Sequence, residues 1–470
     1  MAMMTHPSPS IHNLAPELLS EVFLQCVPDP FDYPLPHLRR DIISSSHVSR
    51  RWRATSLSTP RLWSYIFISL APPSGKIKRV MPELECARAW LARSGDSSLS
   101  IFLICSMADT RIPEEVTKEE ETINTATQLL MHHCERWRRF TMITQSCINL
   151  DIFSSTGVYF ARLEYLELPN TWRVPRVIET FSKAPQLREV AMILPPPLHR
   201  VKIPWNQLTR CFLNTDLDAV QVLHMSPGLV DLHVQMDDPD DALDQPHPFT
   251  HLNLSKLEVR GMAHDTVNKF LSRITLPSLH ELIIPEIYTE LVPMIFRSAC
   301  QILKANLWVK EDAPLAPFLQ VVTGLQDLTV RVKTQPAWIV LKEALELNLD
   351  HQLAPELRSL KLCFSNENPY DSSFVSQLMD VLGSRLSPPP LLPSSPEKSP
   401  RNPIKHVKLE FVFGTAAFQD TLLQHLDNLV GKCLIDGLAV KHWPIPHYYT
   451  ASQGFCVSLT VDKFHAGDSK

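Results

Sequence analysis

The chain has 470 residues, 44% of them hydrophobic and 20% charged, a length that suggests two to four folded units with ample material for a core. Its 45 basic and 50 acidic residues leave a net charge of −5, which argues against bulk electrostatic binding of nucleic acid. Forty prolines against twelve glycines invert the usual order, in which glycine at about 7% exceeds proline at about 5%, so Gly-built phosphate loops are scarce from the outset.

In chain order, Met1–Pro9 has neither a basic nor an apolar region and does not read as a signal peptide. The segment Leu14–Phe23 reads as an entry turn and an amphipathic helix. Asn13 is a candidate N-cap, Pro16 sits early, and Leu18, Leu19, Val22 and Phe23 form one stripe. Pro28-Asp29-Pro30 ends it. After a turn-rich stretch to Asp41, Ile43, Val48 and Trp52 can share a face while Arg50, Arg51 and Arg53 stay wet. Leu62-Trp63 then precedes the apolar segment Ile66-Phe67-Ile68. Three helices of this size bury too little to stand alone, so another surface is expected to cover them.

Residues 71–135 are read as a linker and the entry to the next domain. Thr110–Glu121 is a charged run suited to a solvated loop or helix face, and His132-His133-Cys134 is the densest set of potential metal ligands. Consecutive helical residues point about 100° apart, so the three cannot share one ion, and no metal is expected.

From residue 136 a phrase recurs: apolar, two others, apolar, one other, apolar. Its copies begin at Leu163, Leu187, Leu208, Leu229, Leu254, Leu279, Ile302 and Leu325, at nearly even intervals, with more widely spaced copies at Leu357 and Ile404 and a looser one at Trp137. The end of each phrase has the period of a half-buried strand. Helical spacing fills the intervals, as in Val177-Ile178-x-x-Phe181, Val220-x-Val222-Leu223, Val267-x-x-Phe270-Leu271 and Phe318-Leu319. Pro185, Pro227, Pro277, Pro355 and Gly324 punctuate the returns to the strand. The expected fold class is α/β: a solenoid over 136–416 with an inner parallel sheet and outer helices. An unrelated α/β domain with coincidental phrases is the alternative.

Within each phrase, alternate positions face away from the core. On that concave face Tyr165, Phe212, His233, Arg260, Trp308 and Arg331 are the candidate partner-binding residues, because exposed aromatic and arginine side chains on a rigid sheet supply the most contact energy. Charges of both signs alternate there, unlike a phosphate cradle. Asp237–Asp244 is acidic but has no EF-hand spacing and reads as a solvated loop. Residues 384–403 are rich in proline and serine and read as a disordered insertion, with Ser-Pro pairs at Ser387, Ser395 and Ser399 that could be phosphorylated. Residues 417–470 read as a C-terminal cap, with a helix over Thr421–Leu429 and a strand over Phe455–Val461.

No dinucleotide, P-loop, zincin or nucleophile-elbow motif occurs, so neither an enzyme nor a cofactor is expected. No apolar run reaches the roughly 18 residues needed to cross a bilayer, so no membrane partner is expected either. Ten cysteines without C-x-x-C spacing suit a reducing, cytoplasmic or nuclear compartment.

The repeated phrase resembles leucine-rich repeats, of an irregular kind because no asparagine ladder follows the third apolar position. Leu14–Phe23, Val48–Arg53 and Leu62-Trp63 together resemble the F-box over residues 11–70, although Ala15 stands where proline is common and Pro28–Asp41 is longer than the minimal motif. The resemblance implies a three-helix F-box that binds a Skp-type adaptor and through it cullin and RING subunits, while the repeats bind a protein substrate for ubiquitination. It places Leu14, Pro16, Leu18, Leu19, Val22, Phe23, Val48 and Trp52 at the adaptor contact and Trp63 inside the chain. A repeat scaffold without ligase association is the competing expectation. Burial of Leu18, Leu19 and Phe23 would favour the scaffold, and their exposure the ligase.

Overall fold

The structure, a computed structural model, describes residues 14–27, 35–70, 80–105, 113–144, 158–168, 177–193, 201–214, 219–236, 248–261, 263–345, 353–364, 372–386, 406–411, 438–444 and 453–460, with residues 11, 404, 422, 424 and 425. Asn13, Pro28–Pro30, Asp237–Asp244, most of the C-terminal helix and the three Ser-Pro serines lie outside them. The chain forms two compact units, Met1–Leu217 and Asp218–Lys470. Both are α/β and each is built on a parallel sheet, an arrangement compatible with a solenoid.

In the first unit, helices α1 (Pro16–Cys26), α2 (Leu35–Ser45) and α3 (Arg50–Leu57) precede strand β1 (Tyr65–Ser69). Helix α4 (Val80–Arg93), β2 (Leu99–Cys105), α5 (Pro113–Met131), β3 (Trp137–Thr144), β4 (Tyr165–Leu168), β5 (Glu189–Ile193) and β6 (Arg210–Asn214) follow. Each strand pairs in parallel with its predecessor, in chain order. The sheet therefore begins inside the 11–70 segment, and the described residues of 71–135 include helices α4 and α5 and strand β2, which continues that sheet. Strand β2 escapes the repeated phrase because its apolar residues run together (Ile101-Phe102-Leu103, all buried), as in a strand covered on both faces.

The helical spacing expected around Phe181 yields only a 3₁₀ turn, Thr180–Lys183, and Trp205–Gln207 is another. Proline explains the shortness. Pro185 follows the first turn and Pro204 immediately precedes the second, and neither can donate the bonds that would lengthen a helix. Strand β3 carries the loose copy of the phrase, with Trp137 and Phe140 buried and stacked 4.5 Å apart.

The second unit contains α6 (Ala219–Met225), β7 (Asp231–Gln235), β8 (Phe249–Thr250), β9 (Lys256–Arg260), α7 (His264–Ser272), β10 (Ile274–Thr275), β11 (Glu281–Ile284), α8 (Leu291–Ser298) and β12 (Lys304–Val309). It continues with α9 (Leu315–Val321), β13 (Asp327–Val332), α10 (Gln335–Leu345), β14 (Ser359–Phe364), α11 (Ser372–Leu386), β15 (His406–Phe411), β16 (Leu438–Pro444) and β17 (Gln453–Thr460). Strands β7, β9, β11, β12, β13, β14 and β15 are neighbours in that order and parallel. Strand β17 then pairs antiparallel with β15, and β16 with β17. Ser384–Leu386, expected to open the disordered insertion, continue α11.

All three apolar positions of every phrase from Leu229 to Leu409 are buried. Parallel register stacks the middle ones into a row, Leu232, Leu257, Leu282, Ala305, Leu328, Leu360 and Val407. Helices α7, α8 and α9 bury Val267, Phe270, Met294, Ile295, Phe318 and Leu319.

Between repeats, side chains just ahead of the phrase donate to carbonyls of the preceding turn. Gln207 reaches Ala184 O at 2.7 Å, Asn253 reaches Pro227 O at 2.8 Å and Ser278 reaches Leu252 O at 2.5 Å. Buried His251 accepts from Leu254 N–H at Nδ1 (3.1 Å), leaving Nε2–H to donate to Ser226 O (3.0 Å). The Arg297 guanidinium closes the end of α7 on Leu271 O (2.7 Å) and Ile274 O (2.9 Å).

Gly261 follows β9 at φ +127°, where a Cβ would overlap the Met236 backbone. Gly261→Ala is expected to lower the unfolding free energy by about 1–3 kcal/mol, measured by urea denaturation against wild type.

Candidate functional site

Two surfaces carry the residues singled out in the sequence: the N-terminal helices of the first unit and the polar faces of the two sheets.

Helix α1 starts at Ala15 without a side-chain cap, and Pro16 supplies the first-turn geometry. Its inner face is Leu19 (0% exposed) and Phe23 (3%), and Phe23 packs on Trp52 of α3 at 5.0 Å between ring centroids. Leu18 and Val48 lie outside at 57% exposure each, Pro16 is also exposed, and Leu14, Val22 and Trp52 are half-buried. The paired leucines of α1 thus divide, one to the core and one to solvent, as the roughly 100° step between helical neighbours requires.

The segment Ile42–Arg53 is not one continuous helix. Helix α2 ends at Ser45, Val48 sits in the turn, and the Ser49 side chain caps α3 by accepting from Trp52 N–H at 3.1 Å. Among the described side chains of α2, Ile42 rather than Ile43 faces inward. Arg51 donates to the Leu14 carbonyl and so ties α3 to the start of α1. Trp63 is buried, donates to Ser56 O at 2.8 Å and meets Trp90 of α4 edge-on at 5.1 Å. Trp52 Nε1 is shielded from solvent with no hydrogen-bond partner among the described residues.

On the sheet of the first unit, Tyr165 is half-buried and donates to Glu167 at 2.9 Å, with Arg139 5.8 Å from its ring. Arg139, Tyr165, Glu189 and Arg210 are in register across four strands. Phe212 is half-buried one row further along.

On the sheet of the second unit the outward row reads Asp231, Lys256, Glu281, Lys304, Asp327, Ser359 and His406. Lys256 lies 3.5 Å from Asp231 and 3.7 Å from Glu281, and Lys304 lies 3.9 Å from Asp327. His233 sits between two carboxylates, Asp231 at 3.0 Å and Glu258 at 2.8 Å, and Glu258 also receives Arg260 at 2.5 Å. Burial lowers the His233 pKa, but the two carboxylates outweigh it and hold the imidazole up at about 9. Burial likewise opposes ionisation of Glu258, and His233 and Arg260 override it to about 2.

Trp308 is half-buried, in register with Arg331, whose guanidinium lies 5.7 Å from its ring centroid. The structure thus joins Trp308 to Arg331 and His233 to Arg260, while Tyr165 and Phe212 belong to the other unit. Four further side chains extend the pattern. Lys333 stands 3.9 Å over the Trp308 ring, and Lys361 and Lys408 both reach Glu410 at 2.8 Å. Continuing the alternation past the third apolar position of the Leu325 and Ile404 phrases would have found Lys333 and Glu410, and Lys408 lies within the Ile404 phrase itself. Burial pushes the neighbouring Cys363 thiol up to about 12, so it stays protonated.

His132 and His133 follow the end of α5, and Cys134 opens a 3₁₀ turn. Among the described residues no group of three His, Cys, Asp or Glu is placed to hold a metal ion, and no helix is long and apolar enough to cross a membrane. No family model and no curated protein matches the chain.

His233 yields a signed pH dependence. Its folded pKa of about 9 exceeds the unfolded value of 6.5, so its contribution is full below about 6.5 and is lost as pH rises through 9. His233→Gln is expected to cost ~1.5–3 kcal/mol at pH 6 and little at pH 10, read from thermal melts of both proteins across that range.

Proposed function

We propose that the chain is the substrate-recognition subunit of an SCF-type ubiquitin ligase: an F-box binds a Skp-type adaptor, and irregular leucine-rich repeats bind a protein substrate. The observation that carries the reading is the outer side of the N-terminal segment, where Pro16, Leu18 and Val48 are exposed while Leu19 and Phe23 are buried and Phe23 packs on half-buried Trp52. Exposed aliphatic side chains on a helix and on the turn that leads into α3 are the kind of surface a partner covers. On this reading Leu19 and Phe23 shape the module from within, and Leu18, Val48 and Pro16 touch the adaptor. The chain performs no bond chemistry of its own. It raises the concentration of bound substrate near a conjugating enzyme, in the cytoplasm or nucleus.

A repeat scaffold without an adaptor is the second reading, and burial of Leu19 and Phe23, two of the residues carried over from the F-box pattern, favours it. Binding of the full chain to a purified Skp-type adaptor, measured calorimetrically, separates the two. Leu18→Asp with Val48→Asp is expected to weaken binding at least tenfold with an unchanged melting temperature. Leu19→Asp would instead bury a charge and unfold the module, so it is unsuited to the purpose. Absence of binding by the folded wild type would sink the ligase reading.

A further inference from the structure

The outward face of the second sheet changes character along its length. Around β7 and β9, every carboxylate has a cation beside it: Asp231 has Lys256 and His233, and Glu258 has His233 and Arg260. From β12 to β15 the balance tips. Lys304, Arg331, Lys333, Lys361 and Lys408 stand on this face with only Asp327 and Glu410 among its described residues to offset them. Glu410 is shared by Lys361 and Lys408. Arg331 and Lys333 have no carboxylate partner among the described residues, and their cations approach the Trp308 ring. Parallel register fixes these groups as a plane, with Trp308, Arg331, Cys363 and Glu410 in one row and Asn306, Thr329, Lys361 and Lys408 in the next.

We infer that the β12–β15 face of the second unit binds an acidic polypeptide segment, its Asp or Glu side chains meeting Arg331, Lys333, Lys361 and Lys408 while Trp308 supplies the flat apolar contact. The inference rests on the part of the proposed function that makes this sheet the partner-binding face, and not on adaptor binding. Dimensions agree. Three interstrand steps from β12 to β15 cover roughly 14 Å, which an extended chain crosses in about four residues. Arg331 and Lys333 carry the charge that no described carboxylate offsets, so an incoming carboxylate gains an ion pair there without displacing one, while at Lys361 and Lys408 it joins Glu410. A protein segment fits better than a nucleic acid, because Asp327 and Glu410 interrupt the cationic field at intervals a continuous phosphate backbone would have to cross. Acidic side chains spaced along a peptide can avoid them.

The test uses the full chain and two fluorescein-labelled probes, a decapeptide with Asp or Glu at every third position and Gly or Ser between and a ten-nucleotide oligothymidylate, followed by fluorescence anisotropy at low and physiological salt. The peptide is expected to bind, more weakly at higher salt, and Arg331→Glu with Lys333→Glu should reduce its affinity at least tenfold. Both side chains are exposed, so melting temperature should hold. Lys183→Glu, an exposed change in the first unit, should leave binding intact. Failure of the peptide to bind, binding indifferent to the double substitution, or preference for the oligonucleotide would each overturn the inference. Adaptor binding by the same double variant should match wild type, which separates this outcome from failure of the ligase reading.

Discussion

The constraint on which both units depend is in-register parallel pairing between strands of nearly equal repeat length. Register converts a one-dimensional phrase into two-dimensional rows: a position apolar in one repeat lies beside the same position in the next. Leu257 pairs with Leu232 on one side and Leu282 on the other, because the three phrases start at equal intervals along the chain. A one-residue slip would move each of these leucines to the polar face and bring Lys256 and Glu281 into the core. The hydrophobic effect and the charge pairing of the opposite face therefore select the same register, and neither could be satisfied without the other.

Turns must also be held, and here the molecule departs from an asparagine ladder. No single residue type fills one recurring slot. Gln207, Asn253, Ser278 and His251 each satisfy a carbonyl of the turn behind them, with different side chains reaching equivalent places. Arg297 performs a related task at a helix end. Such ties tolerate repeats of unequal length, because each donor is fitted to its own turn. A strict ladder would demand uniform spacing, which intervals that vary between neighbours and widen toward Leu357 and Ile404 do not provide.

Much of this was legible in the sequence, for a physical reason: the phrase encodes burial directly, and every apolar position in the copies from Leu163 to Leu409 is buried. Strand β2 was not legible, since a strand covered on both sides loses the alternation that marks a strand. Nor were the 3₁₀ connections, where helical spacing at Ile178 and Phe181 competes with nearby proline. At the N-terminal helices, Leu18 and Leu19 are equally apolar, and only the placement of Trp52 and Phe23 decides which faces inward. The cation-rich stretch needed tertiary information of another sort. Lys361 and Glu410 are remote from each other along the chain, and the register of β14 with β15 brings them to 2.8 Å.

A row of parallel strands has no intrinsic end, because each new strand presents the same hydrogen-bonding groups that recruited it. The second unit resolves this by reversing direction. Strand β17 takes the slot beside β15 where a further parallel repeat would go, and β16 turns back again as the outer strand. That outermost strand finishes at Pro444, a residue with no N–H, which discourages a neighbouring molecule from adding itself to the sheet there. The reversal is a stop signal against polymerisation. A chain shortened before residue 438 would present β15 as a bare template, and self-association would become the cost of losing the final hairpin.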